Sequence, residues 1–247
     1  MRLPPNIYLQ SSLIKTFFNV GRKVLALVQQ PVVSLAANVE PEELKKRAVI
    51  LLDPKPLENY QRDMWVKSGS IVAVDTIKRI HKFSSKQMEF WEDFMWQYIN
   101  ERSLLKTGQM LATQQDVINK AIDRVLAEGM ARGMSVPDMR RTITDDLLSV
   151  LTEINTYQAE RIARTEVNGA ANAGSYEGAM STGVVLGKFW ITSGLQGIRE
   201  SHVLYESLGV VQNDYEYNIG LKHPGDPDCR IAEDIINCRC TIGYEVD

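Results

Sequence analysis

The stretch Val184-Val185-Leu186-Gly187-Lys188-Phe189-Trp190-Ile191 marks the point at which this 247-residue sequence changes character. β-Branched and aromatic residues dominate it, and glycines enclose it, which is typical of a β-strand. A second stretch, Cys240-Thr241-Ile242-Gly243-Tyr244-Glu245-Val246, alternates in polarity and predicts another strand. Turn-rich sequence separates the two strands, so this part of the chain is expected to form a small, loop-rich α+β cap.

Upstream of the first strand, most of the sequence carries the three- and four-residue spacing of amphipathic helices. The first predicted helix covers residues 12–30, with an apolar face formed by Leu13, Phe17, Val20, Val24 and Val28. Pro31 and Pro41 are expected to enclose a loose connector, and a short helix is predicted over 42–52.

The remaining upstream sequence predicts further helices. Gly129 and Gly133 are expected to end one of them, and Ser135-Val136-Pro137-Asp138 is a helix start with Ser135 as the cap. Another helix is predicted from about Ile154. The expected fold class is therefore α+β, mostly α: a helical N-terminal region over residues 1–105, and a domain over 106–247 that includes the cap.

Charge is distributed unevenly along a chain whose net charge is only −3. Residues 1–39 contain four cations, Arg2, Lys15, Arg22 and Lys23, and no carboxylate. Residues 200–247 contain ten carboxylates and three cations. A basic arm over 1–39 would suit an anionic partner, and we expect Lys15, Arg22 and Lys23 to make that contact.

The cysteine pattern indicates a reducing compartment, since the three cysteines match no small disulfide framework. Charged residues interrupt the N-terminal stretch, which therefore resembles neither a signal peptide nor a membrane span. We expect a protein made in the cytosol with no membrane contact.

Rare residues cluster in the C-terminal part, where two of the three histidines and all three cysteines fall between 202 and 240. Cys238 and Cys240 would share one face of an extended segment, so both sulfurs could reach one centre. His202, Cys229 and His223 are the candidates to complete a tetrahedral zinc shell. The alternative is that the cysteines are small buried hydrophobic residues and the histidines bond to loop carbonyls.

The same residues allow two catalytic interpretations. A thiol beside His202 or His223 could form a nucleophilic pair, and Asp226, Asp228 and nearby acids could hold Mg²⁺ or Ca²⁺. No nucleophile turn and no EF-hand spacing is present in the sequence. No catalytic or cofactor-binding residue is therefore predicted, and the protein is not expected to be an enzyme.

An alanine-rich helix carries the polar residues Arg164, Glu166 and Asn172. Alanines at 163, 170, 171 and 173 indicate close packing, which favours a buried Arg-Glu-Asn network that fixes this helix to the cap. The alternative is an exposed helix face whose local ion pairs contribute little.

The polar and cysteine motifs occur in an order that resembles a known family. The sequence reads Arg161-Ile-Ala-Arg164-Thr165-Glu166, Asn172, Trp190, Arg199-x-Ser201-His202, Pro224-Gly225-Asp226-Pro227 and Asn237-Cys238-Arg239-Cys240. This order resembles the phage head morphogenesis family, that is, the Mu F-like minor head proteins, over roughly residues 110 to 243. Members usually carry an aspartate shortly before the Arg-x-x-His stretch, where this chain reads Ser193-Gly194-Leu195-Gln196-Gly197.

The resemblance implies a minor capsid protein of a tailed phage that associates with the portal protein inside the procapsid. It implies a virion location, in the head interior or at the portal vertex, after assembly in the host cytoplasm. Such proteins assist head assembly, DNA packaging or ejection, and major capsid or scaffolding proteins and weakly held double-stranded DNA are further expected partners. The alternative function is a small metal-dependent hydrolase or nuclease that uses His202, His223 and the acidic cluster.

Overall fold

The computed structural model describes residues 2–3, 7–80 and 85–246, and the side-chain surroundings of 9–40, 43–44, 46–48, 51–80 and 107–246. The chain is 70% helical. In order, its elements are β1 (Arg2–Leu3), α1 (Ile7–Ala36), α2 (Pro41–Leu51), α3 (Lys55–Ile80), α4 (Ser85–Arg132), α5 (Val136–Ser181), β2 (Val185–Ile191), α6 (Glu200–Ser207), α7 (Ala232–Ile235) and β3 (Thr241–Val246). The predicted α+β, mostly α class is confirmed.

The first helix is longer than its sequence pattern predicts. Pro31 lies inside α1, so the loose connector expected from Pro31 onward is wrong. Val28, Val32 and Ala36 follow one another at four-residue spacing and are each at most 1% exposed. Burial of this apolar row offsets the hydrogen bond that proline removes from the helix. The short helix predicted over 42–52 is confirmed as α2.

The junction between the two longest helices follows the predicted signals except at Gly129, which lies inside α4. Gly133, at φ 63°, ends α4 in the left-handed conformation that glycine favours. Ser135 caps α5, because its Oγ accepts the Asp138 N–H at 3.3 Å. A separate helix from Ile154 is wrong, since α5 is continuous from Val136 to Ser181. Neither glycine nor proline occurs between 138 and 168 to break it.

Three antiparallel strands form the sheet in the order β1-β3-β2. β3 pairs with β2 on one side, for example Trp190 with Ile242, and with β1 on the other, where Arg2 faces Glu245. The two predicted strands are confirmed as β2 and β3. β1 was not predicted as a strand, because two residues carry no measurable alternation.

The chain folds into two compact units, each built from separated segments. Unit 1 contains 1–18, 62–100 and 160–247, and unit 2 contains 19–61 and 101–159. This differs from the predicted division at 105/106, a position that lies within α4. Long helices allow distant segments to join one unit, which a boundary read from composition along the chain does not capture. No helix in the described residues has the length and apolarity needed to cross a bilayer.

Small residues bring α3 and α5 close together in unit 1. A Cβ atom added at Gly174 would lie 2.3 Å from the Gly69 carbonyl oxygen, and one added at Gly178 would lie 3.1 Å from the Ala73 carbonyl oxygen. Trp65 and Ala73 of α3 form a buried cluster with Ala170 and Ala173 of α5. The alanine-rich face of α5 is therefore a packing surface, as its composition indicated.

A chain of buried amides crosses the interior of unit 2. Gln29 of α1 donates to Gln114 of α4 and, at 3.0 Å, to Asn155 of α5. Asn155 donates back to Gln29 at 2.8 Å, and Gln114 donates to Gln158. All four side chains are at most 7% exposed, so these hydrogen bonds replace the solvent that the amides lose on folding.

Candidate metal centre

Three potential metal ligands from two segments of unit 1 meet below the surface. His202 lies on α6, Cys238 lies in the turn after α7, and Cys240 directly precedes β3. The His202 Nδ1 atom is 3.3 Å from the Cys240 sulfur and 3.8 Å from the Cys238 sulfur. Each of the three side chains is at most 3% exposed, and their ligand atoms lie within 4.8 Å of one another.

These separations suit a tetrahedral ion such as Zn²⁺. Zn–S bonds of about 2.3 Å and Zn–N bonds of about 2.0 Å at tetrahedral angles place ligand atoms about 3.6–3.8 Å apart. The cluster can therefore hold a metal ion with little movement of its side chains. The structure accordingly shows that a His/Cys/Cys site able to bind a metal is present.

The other ring nitrogen of His202 faces a carboxylate. His202 Nε2 lies 3.6 Å from Asp234 Oδ1 and makes no hydrogen bond to any other described residue. Asp234 is itself held in place, since it accepts hydrogen bonds from Ser201, Tyr205 and Asn218. A histidine that binds a metal through one nitrogen usually directs its other N–H at a carboxylate or carbonyl, which fixes the ring. Asp234 was not predicted as part of the site.

Side chains of α5 hold the turn that presents the two cysteines. Asn237 adopts φ 57°, an uncommon conformation for a residue other than glycine. Its backbone N–H donates to Thr165 Oγ1 at 2.8 Å, and its side-chain oxygen accepts from Arg164 at 2.7 Å. Farther along α5, Asn172 donates to the Cys240 carbonyl oxygen at 3.2 Å. The turn over residues 237–240, which we call the thiol turn, is thus fixed at both ends by α5.

The two thiols are electrostatically linked. The pKa of the Cys240 thiol is lowered, mainly because the Cys238 side chain donates a hydrogen bond to it, with further contributions from His202 and Trp190. The same hydrogen bond raises the pKa of Cys238, and burial adds to that increase. The Cys238 sulfur also accepts the Cys240 backbone N–H at 3.4 Å. Thiolate is the form that binds metal ions, so Cys240 is prepared as a ligand.

A small cavity adjoins the centre. Its volume is about 130 Å³, and both His202 and Cys240 border it. The remaining lining residues are Ser193, Gln196, Gly197, Ile198, Arg199, Asn237 and Arg239. The segment 193–197 therefore forms one wall of this cavity.

Cys229 and His223 do not belong to the three-ligand cluster, although the sequence placed them among the candidates. Cys229 is buried in the adjacent apolar core with Trp190 and Leu221, and its thiol donates to the Ile231 carbonyl oxygen. This matches the alternative interpretation of a cysteine as a small hydrophobic residue.

His223 lies in a separate loop whose carboxylate has a structural role. Asp226 accepts the backbone N–H groups of Lys222 at 2.9 Å and Asp228 at 3.0 Å. His223 lies 3.7 Å from Asp226 and packs against Tyr176. Burial lowers the pKa of His223, which favours the neutral ring. The loop therefore uses its acid to close a turn.

A buried lysine beside this loop was missed by the sequence interpretation. Lys188 of β2 is fully buried, donates to the Lys222 carbonyl oxygen at 2.8 Å, and lies 4.9 Å from the centre of the Tyr176 ring. Burial lowers the pKa of Lys188 to about 8. A single lysine in a strand normally indicates a solvent-facing position, so the sequence contained no signal for its burial.

The predicted Arg-Glu-Asn network exists as separate contacts. Arg164 and Asn172 reach the thiol turn, whereas Glu166 accepts the Trp65 indole N–H at 2.8 Å. Glu166 and Asn172 are buried, and the Arg164 side chain remains 18% exposed because it also pairs with Glu160 near the surface. Arg164 and Asn172 therefore fix α5 to the cap, and Glu166 fixes α5 to α3.

The predicted basic contact residues lie on α1. Lys15, Arg22 and Lys23 are all exposed. The described part of this segment is not a free arm, because Phe17, Leu25 and the row from Val28 onward are buried. In unit 2, Arg22 and Lys23 border an open groove of about 530 Å³, with Asn19, Ala26, Thr152 and Asn155.

No family model, curated protein or solved structure matches this chain. The ordered motifs and the geometry around the thiol turn are therefore the basis on which its function is inferred.

Proposed function

We propose that this protein is a minor head protein of a tailed phage, which associates with the portal protein inside the procapsid and assists head assembly, DNA packaging or ejection. Its location would then be the head interior or the portal vertex, with assembly in the host cytoplasm. The proposal starts from the order of the motifs quoted above and is supported by where those motifs lie in the fold.

The observation that carries the proposal is the convergence of the motif residues on one turn. Arg164 and Thr165 bind Asn237, and Asn172 binds the Cys240 carbonyl. Arg199 donates to the Ile236 carbonyl oxygen at 2.5 Å. Residues that are widely separated in sequence thus meet at one structural element. Their contacts are with the protein itself, which favours a protein that acts through its surfaces.

We propose that the His202, Cys238 and Cys240 cluster holds a structural zinc. One tetrahedral ion would tie α6 to the turn that precedes β3, and binding would be coupled to folding of this region. The test is metal content by mass spectrometry, with thermal unfolding before and after chelation. We expect about one zinc per chain by this coordination and a lower melting temperature after chelation.

Two cysteine variants make this test specific. Cys240→Ser removes a ligand, whereas Cys229→Ser changes a buried thiol in the same apolar cluster but outside the ligand group. Zinc should be lost from the first variant and retained by the second. Equal zinc content in both variants, or none in the wild type, would reject the centre.

The exposed cations of α1 are the proposed contact with an acidic surface of the portal. Arg22 and Lys23 border the groove in unit 2, and Lys15 adds a further exposed charge on the same helix. Four cations in residues 1–39 give only a weak contact with DNA, because affinity depends on the number of phosphates neutralised. A folded acidic protein surface is the better partner for a few fixed charges.

The contact is tested by co-expression with the portal protein of the same phage and recovery of the complex. The variant replaces Lys15, Arg22 and Lys23 with glutamine, and the matched control replaces the exposed α4 cations Lys120, Arg124 and Arg132. We expect the first variant to lose most of the portal and the control to retain it. Equal recovery of portal by both variants would contradict the proposal. Charge neutralisation is preferable to deletion of residues 1–30, which would remove buried core residues of α1.

The hydrolase alternative receives less support from the geometry. It requires His202 and His223 at one site, yet the ligand cluster contains only the first of them. Asp226 is occupied by backbone N–H groups, and Asp234 faces the far side of His202. Phosphodiester or peptide hydrolysis that disappears in His223→Gln but persists in the α1 triple variant would favour that alternative.

A further inference from the structure

The proposed metal centre has three protein ligands, and two of them, His202 and Cys240, border the adjoining cavity. In the described residues, His202, Cys238 and Cys240 form a group that contains no fourth His, Cys, Asp or Glu. Tetrahedral zinc requires four ligands, and a site with three protein ligands takes the fourth from water or from an added molecule. His202 and Cys240 border the cavity, so this space is where such a ligand would enter.

The side chains that line the cavity favour a negatively charged ligand. Arg199 and Arg239 are among the lining residues and carry positive charge, and none of the lining residues, all of them in the described part of the chain, is Asp or Glu. Asn237, Ser193 and Gln196 add neutral hydrogen-bonding groups. A Zn²⁺ ion with two thiolates and a neutral imidazole carries no net charge, so the two arginines leave the cavity positive. Arginine is the side chain best suited to planar oxyanions.

The two arginines differ in how firmly they are held. Arg199 is half-buried and donates to the Ile236 carbonyl oxygen at 2.5 Å, which fixes its side chain beside the thiol turn. Arg239 lies between the two cysteine ligands, and its side chain is exposed. Asn237, which also lines the cavity, is fixed by Arg164 and Thr165. One wall is therefore rigid, while Arg239 can adjust to an incoming group.

The size of the cavity suits a small group. A carboxylate or phosphate group fits a volume of about 130 Å³. A binding role is also favoured over hydrolysis, because the wall provides no carboxylate or second histidine to act as a general base.

We propose that the zinc centre keeps its fourth coordination position open to this cavity and binds a small oxyanion there, a carboxylate or phosphate group, with Arg199 and Arg239 holding its other oxygens. This inference rests on the zinc proposed above. In an assembly protein, such a position would let an acidic side chain of a partner, or a free anion, complete the centre. Binding of the partner would then depend on the metal.

The test uses the full-length protein loaded with Co²⁺ in place of zinc, because the visible absorption bands of Co²⁺ respond to its ligands. The probes are sodium acetate and inorganic phosphate, titrated at constant ionic strength in a buffer that does not bind metals. Chloride serves as the control for ionic effects. Wild type is compared with Arg239→Gln, which removes one exposed guanidinium, and with Lys222→Gln as a control for the loss of a single positive charge elsewhere.

We expect a saturable change in the Co²⁺ spectrum with acetate, with phosphate or with both, and the stronger probe identifies the class. Arg239→Gln should weaken this response about tenfold, while Lys222→Gln leaves it unchanged. Co²⁺ that binds but does not respond to either probe would overturn the open position and leave the metal centre intact. An equal response in wild type and Arg239→Gln would overturn the role of the arginine. Failure to bind Co²⁺ or Zn²⁺ would reject the centre itself and the oxyanion site with it.

Discussion

Substitution of Gly174 by alanine tests the close contact between α3 and α5. The added methyl group would lie 2.3 Å from the Gly69 carbonyl oxygen and 2.9 Å from its carbonyl carbon. Both obstacles are backbone atoms, so the helices themselves must separate by about 1 Å to restore van der Waals contact. Overpacking of a well-packed contact costs about 1–3 kcal/mol, and a backbone obstacle lies at the upper end.

Helix propensity acts in the opposite direction. Alanine is favoured over glycine in a helix by about 1 kcal/mol. The net expectation for Gly174→Ala is therefore a loss of about 2 kcal/mol in the free energy of unfolding. In a chain of this size, this corresponds to a fall in melting temperature of roughly 4–8 °C.

Two further glycines of the long helices provide matched controls. An alanine Cβ at Gly178 would lie 3.1 Å from the Ala73 carbonyl oxygen, which requires a much smaller adjustment. At Gly108, on the exposed side of α4, it would meet nothing within 4 Å. The propensity gain should cancel the strain at Gly178, and Gly108→Ala should be stabilised by about 0.5–1 kcal/mol.

The assay is urea unfolding followed by far-UV circular dichroism, with thermal scans of the same variants. The expected order of stability is Gly108→Ala, then Gly178→Ala, then Gly174→Ala. A Gly174→Ala protein as stable as the wild type would mean that α3 and α5 are not in backbone contact. Equal gains in stability at all three positions would show that helix propensity, and not packing, decides them.

Three further predictions concern pH and the thiol turn. Because the pKa of His223 is lowered in the folded state, the unfolded chain binds a proton at this ring first as pH falls. The free energy of unfolding should therefore decrease as pH drops below 6.5. His223→Gln should lack this decrease, and an unchanged pH dependence in the variant would refute the role of His223. Burial lowers the pKa of Lys188 from 10.5 to about 8, so the folded state loses this proton first as pH rises. The free energy of unfolding should therefore increase from pH 8 to pH 10.5. The increase should be smaller in Lys188→Met, and equal pH dependence in the two proteins would mean that the amine is solvated. Asn237→Ala should lower zinc retention during chelator titration more than Asn237→Gly, because glycine adopts φ 57° readily and alanine does not. The reverse order would indicate that the Arg164 contact matters more than the backbone conformation.

The helices and strands were largely predictable because local patterns encode them. The β-branched and aromatic residues of β2, the alternation in β3, the cap at Ser135 and the end of α4 at Gly133 are each local signals. The passage of α1 through Pro31 was not predictable, since it depends on burial against distant segments. The strand β1 likewise exists only because β3 pairs with it.

The candidate centre was predictable in its residue types and only partly in its membership. The Cys-x-Cys spacing places two sulfurs together whatever the tertiary fold, and His202 joins them as the sequence allowed. Cys229 and His223 are close to these residues in sequence, but turns direct them into a packed core and a separate loop. The role of Asp234 emerges from three hydrogen bonds to other elements, which no local spacing records.

The buried amides of unit 2 have a consequence for how its helices are aligned. A purely hydrocarbon contact between helices can shift by one position with modest loss, because one methyl group substitutes for another. The bonds among Gln29, Gln114, Asn155 and Gln158 do not allow such a shift. Displacement of any one helix would leave several amides without partners in an apolar interior, at about 1–3 kcal/mol for each group. The hydrogen bonds among these four side chains are therefore compatible with a single alignment of α1, α4 and α5 along their axes.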